Sequence, residues 1–79
     1  MNTSKIKLKP IAKEVRVTPS LLKVLLVDGR EIAVPLAWFP RLQKAKRTQR
    51  NNWRLIGGGV GIHWEEIDED ISVPALLMK

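Results

Sequence analysis

The stretch WRLIGGGVGIHWEEIDEDIS, residues 53–72, decides how this 79-residue chain folds. Trp53 to Ile56 has the aromatic and branched composition of a short strand, Gly57-Gly58-Gly59 reads as a turn or bulge, and Val60 to Trp64 returns as its partner. Val60 and Ile62 are expected on one face of that hairpin, with His63 on the other. Glu65 to Asp70 reads as an acidic loop. Ser72 stands where a side-chain oxygen accepts from the first turn of a final short helix, Val73 to Met78, with acids just upstream of its positive end.

Upstream of this stretch the period changes. Ile11, Lys13, Val15 and Val17 alternate with Ala12, Glu14, Arg16 and Thr18, which predicts a half-buried strand that Pro19-Ser20 ends. Leu21 to Val27 is almost wholly apolar, Asp28-Gly29 has the composition of a two-residue hairpin turn, and Arg30 to Val34 alternates again. These segments predict a three-stranded antiparallel meander with the second strand central. Pro35 closes it. Trp38, Leu42 and Ala45 then fall at helical spacing, Pro40 suits a first turn, and a short helix is expected over about residues 41–46. Thr48 is placed to cap a further turn that Asn51-Asn52 stops.

A chain of this length has apolar surface for one core only, so residues 10–79 are read as a single domain. Residues 1–9 are read as a flexible arm or weak edge strand. The fold class is α+β: an antiparallel sheet made of the meander and a second hairpin, with one or two short helices, in two layers. The chain contains no cysteine, which excludes disulfides and thiolate metal sites. It has no run of about 18 to 20 apolar residues, so no membrane partner is expected, and a cytoplasmic location is. The net charge of +6 is polarised: residues 1–54 carry 13 basic and 3 acidic side chains, and residues 55–79 carry 1 and 5.

Each motif that suggests chemistry falls short of the spacing its chemistry needs. The triple glycine is followed by Ile62-His63-Trp64, not by the Lys and Ser/Thr that reach nucleotide phosphates. Asp68, Asp70 and Ser72 imitate the start of a calcium loop, but Val73 and Lys79 stand where glycine and glutamate are required. His63 is the single histidine, so it reads as a hydrogen-bonded strand residue, not as a member of a nucleophilic or zinc constellation. No catalytic residue, metal or cofactor is expected. Arg41, Lys44 and Arg47 are expected on one helical face within a basic segment, 41–54, that also holds Lys46, Arg50 and Arg54; this face suits phosphates or an acidic protein. With aromatics and arginines favoured at interfaces, the expected partner contacts are Trp38, Phe39, Arg41, Lys44, Arg47, Arg50, Glu66, Asp68 and Asp70.

Pro40-Arg41-Leu42, Asn51-Asn52-Trp53-Arg54, Gly59-Val60-Gly61-Ile62-His63-Trp64 and Asp68-Glu69-Asp70-Ile71-Ser72, in this order, resemble the bacterial family called domain of unknown function 2442. The resemblance runs from about residue 9 to residue 77. It implies a compact α+β fold with an antiparallel sheet and one or two short helices, and no established catalysis. Some relatives carry an added helix-turn-helix region, and others look like the small partner in two-gene cassettes of toxin-antitoxin type. The expectation is therefore a non-catalytic module that binds and regulates a larger protein, antitoxin-like or inhibitor-like. The competing reading is a nucleic-acid-binding regulator using residues 41–54.

Overall fold

The computed structural model describes residues 10–77, and the arm expected over residues 1–9 lies outside them. Two three-stranded antiparallel sheets form the domain. Strands β1 (Ala12–Val17), β2 (Leu21–Leu26) and β3 (Glu31–Pro35) make the first, in that order. Strands β4 (Trp53–Ile56), β5 (Gly61–Trp64) and β6 (Glu69–Ser72) make the second. Between the sheets run a 3-10 turn (Leu36–Trp38) and two short helices, α1 (Pro40–Lys44) and α2 (Arg47–Arg50), and α3 (Val73–Leu77) follows β6. The α+β class and both hairpins are as the sequence predicts. No helix among the described residues is long and apolar enough to cross a membrane.

Neither sheet has a core of its own. Ala12, Val15, Leu22, Val24, Leu26, Ile32 and Val34 from the first sheet pack with Ile62, Trp64 and Ile71 from the second, and Leu36, Leu42, Val73 and Leu76 complete the cluster. Burying each large side chain contributes about 1.5–3 kcal/mol, so this shared interior is the main source of stability. Trp64 is the largest of them and is fully buried. Its indole N–H donates to the Arg50 carbonyl at 2.9 Å, which satisfies the one polar atom it takes inside.

The details depart from the sequence reading in six places. In β1 a bulge pairs Ala12 with Leu26 but Glu14 with Leu25, leaving Lys13 as the extra residue. The bulge shifts the phase, so Ala12 and Val15 are buried together and Lys13 is exposed. The β2–β3 connection is a three-residue loop, Val27-Asp28-Gly29, because Leu26 N–H bonds the Arg30 carbonyl at 2.8 Å. Gly29 takes φ 95°, the left-handed position that such loops require. The Asp28 carboxylate accepts the backbone N–H of Arg30 at 3.0 Å and its Nε–H at 2.8 Å. Those bonds hold its pKa below the ordinary aspartate value.

The helix expected over 41–46 is instead broken into α1 and α2 by extended backbone at Ala45 and Lys46, with ψ near 155° and 160°. Thr48 lies inside α2 and does not cap it; the Gln49 side chain accepts the Lys46 N–H at 2.9 Å. Val60 belongs to the glycine turn and is exposed, so it does not share the buried face of Ile62. The acidic loop is shorter than expected, for Glu69 to Ser72 form a third strand beside β5. Ser72 does cap α3, its Oγ accepting the Ala75 N–H at 3.3 Å. Met78, expected in that helix, lies outside the described residues.

Gly57, Gly58 and Gly59 all have positive φ, and Gly59, at 101°, is buried. A Cβ there would stand 2.8 Å from the Ala12 carbonyl oxygen and 2.7 Å from Ile11 Cγ2. Only glycine lets the turn of the second sheet lie this close to the first strand of the other.

Candidate partner-binding surface

The outward face of the second sheet carries a row of charged groups. Arg54 on β4 is opposite His63 on β5, and His63 is opposite Asp70 on β6. His63 Nδ1 bonds the Asp70 carboxylate, and Nε2 lies 3.0 Å from Glu65 Oε1, which Arg54 also reaches at 3.3 Å. The hydrogen bond to Asp70 raises the His63 pKa above its ordinary value; partial burial opposes this, and Glu65 reinforces it. Both ring nitrogens are occupied by carboxylates, so in this arrangement His63 has neither a lone pair nor a proton to offer a ligand. The Ser72 Oγ accepts the Ala75 N–H as the cap of α3.

Beside this row, a cleft of about 200 Å³ lies between Trp38 and Phe39 on one side and Asp70, Ile71, Ser72, Ala75 and Leu76 on the other. Leu76 is buried, Phe39 is partly buried against the core, and Trp38 is 45% exposed. A second depression of about 390 Å³ shares Asp70, Ile71 and Ser72 and is lined further by Ile56, Gly57, Val60 and Gly61. Among the described residues the exposed large apolar side chains are Val27, Trp38, Val60 and Leu77. Trp38 and Val60 line these two hollows, and Leu77 follows Leu76 on α3. Exposed apolar surface thus concentrates around β6.

The expected contact residues divide in four. Trp38, Phe39 and Asp70 meet at the cleft. Arg41 is fastened to the acidic turn: its guanidinium donates to the Asp68 carbonyl at 3.0 Å and lies 4.0 Å from Glu69. Glu66 accepts from Asn52 Nδ2 at 2.9 Å, while Asp68 turns through φ 52° to start β6. Arg50 has a structural use, donating from Nε to the Leu42 carbonyl at 3.1 Å and from a terminal nitrogen to the Gln43 carbonyl, which caps the last turn of α1. Lys44 and Arg47 are exposed, but the break at Ala45 removes the single helical face that was to hold them with Arg41. The cleft itself was not read from the sequence. Its signal is the apolar run Leu36-Ala37-Trp38-Phe39, more than a turn this short can bury.

Fold and surface together define a small α+β domain of two antiparallel meanders on one core, with a recessed apolar cleft at the edge of the second. The chain belongs to the family described as protein of unknown function (DUF2442), whose model matches residues 12–79. Its fold is similar to the crystal structure of a protein of unknown function from Rhodospirillum rubrum ATCC 11170. The two share 31% identity and a TM-score of 0.76, over 87% of this chain and 86% of that one. Among curated proteins nothing matches.

Proposed function

We propose that this chain is a non-catalytic protein-interaction module that binds a larger protein and regulates it, in the manner of an antitoxin or inhibitor. The observation that carries this reading is the exposed Trp38 beside an apolar cleft at a sheet edge, in a domain that can ill spare a tryptophan from its core. Monomeric proteins seldom leave contiguous apolar surface uncovered without a use for it, and tryptophan is the residue most enriched at interface hot spots. The row of Arg54, His63 and Asp70 beside the cleft supplies a polar rim, as interfaces of this kind have.

The test is recovery of the tagged chain from its native cells, with Trp38→Ala and Arg47→Ala variants in parallel. One stoichiometric protein retained by wild type and Arg47→Ala but lost from Trp38→Ala is the expected result. Failure to recover any such protein under native expression overturns the reading. Duplex DNA or RNA binding at low salt that falls steeply with salt and is lost on Lys44→Ala/Arg47→Ala replaces it with the nucleic-acid alternative.

A further inference from the structure

We infer that the open edge of β6 is a strand-addition site, which takes an extended, lysine- or arginine-bearing segment of a protein partner as a seventh strand. The inference rests on the interaction reading above and gives it a mode and a ligand chemistry.

The register decides which backbone groups are available. Val73 N–H bonds the Val60 carbonyl at 2.8 Å, continuing the ladder in which Gly61 faces Ser72 and His63 faces Asp70. In an antiparallel pair, bonded and non-bonded positions alternate, so Glu69, Ile71 and Val73 bond to β5. Asp70 and Ser72 therefore direct their main-chain groups to the other side, away from the sheet. The Ser72 carbonyl opens α3, which leaves the N–H and C=O of Asp70 and the N–H of Ser72 at the edge. Among the described residues no turn or loop bonds to them. The cleft walled by Trp38 and Phe39 runs beside these same residues. An added strand would bond to Asp70 and seat one apolar side chain in the cleft, with its alternate side chains facing away.

Charge selects the occupant. Five acids lie within residues 65–70, and the carboxylates of Glu66 and Asp68 belong to no ion pair among the described residues. A second copy of β6 laid against the first would set Glu69 and Asp70 among like charges, which is unfavourable across strands. A segment alternating cations with apolar residues meets the acids where it passes the start of β6 and seats an apolar residue in the cleft beside Asp70, Ile71 and Ser72.

The probe is a synthetic seven-residue peptide of alternating lysine and isoleucine, titrated into isotope-labelled protein by NMR. The amides of Asp70 and Ser72 are expected to shift, and N-methylation of alternate peptide amides is expected to weaken binding about tenfold, the value of one or two lost backbone hydrogen bonds. An alternating glutamate–isoleucine peptide is expected not to bind. Asp70→Pro removes the edge N–H without touching the β5 ladder and should weaken binding similarly, with Asp70→Asn as the control for the lost carboxylate. The N-methylated peptide tests the point on wild-type protein, whether or not the proline variant folds. No binding, no shift at β6, equal affinity of the N-methylated peptide, or binding of the acidic peptide overturns strand addition. If Trp38→Ala loses the cellular partner while Asp70→Pro and Asp70→Asn retain it, the interaction reading stands and strand addition falls.

Discussion

His63 and Asp70 face each other across β5 and β6, with the imidazole Nδ1 on the carboxylate, and Glu65 takes the other ring nitrogen at 3.0 Å. The pair favours the imidazolium, so the proton is held more tightly in the folded chain than in the unfolded one. The stabilisation is then fully present below the unfolded histidine pKa of about 6.5 and is lost as pH rises through the raised folded value. Titration of the His63 ring by NMR should give a pKa above 6.5, and Asp70→Asn should bring it down. An unshifted His63 in wild type would remove this account of the row.

Gly59→Ala should destabilise the domain more than Gly58→Ala. Both positions have positive φ, but a Cβ on Gly58 meets nothing within 4 Å, whereas one on Gly59 strikes the Ala12 carbonyl. Backbone strain alone costs about 1–2 kcal/mol. The clash adds to it at Gly59, and urea unfolding of the two variants measures the difference directly.

Arg50→Ala should cost about 1–2 kcal/mol, because it uncaps the Leu42 and Gln43 carbonyls. Arg47→Ala, at an exposed neighbour, should stay within about 0.5 kcal/mol of wild type. Equal denaturation midpoints for the two variants would contradict the structural role of Arg50.

Trp64→Ala should cost about 3–5 kcal/mol through the cavity it leaves, enough to unfold a large share of a domain this small. Trp64→Phe keeps most of the volume but strands the Arg50 carbonyl, at about 1–3 kcal/mol. Trp38→Ala should alter stability far less than either. Thermal melts of the three variants rank them.

β2 to β5 were legible from apolar and branched composition or from alternation, bounded by turn residues. β6 was hidden because Glu69 and Asp70 are poor strand formers and only Ile71 shows the buried phase. The slip in β1 was hidden for a different reason: a bulge leaves composition unchanged and merely swaps Lys13 for Ala12 in facing. Nothing in Ala45-Lys46 marks a helix break, since neither is glycine or proline, and tertiary packing of Leu42 overrides their helical propensity. At the surface, the sequence reading named Trp38, Phe39 and Asp70 as expected contacts, but the cleft that all three line was not legible. That reading also could not separate Arg50, which finds carbonyls in the fold, from Arg47, which does not.

The single core shared by the two meanders bears on how the molecule fails. With Ala12 pressed against Gly59 and Trp64 anchored to the residue that closes α1, there is no line along which one half can open while the other persists. Loss should be all-or-none, with calorimetric and van't Hoff enthalpies agreeing and no half-folded species between. In a cell, damage to either half would deliver the whole chain to proteases and withdraw its β6 edge together with its core.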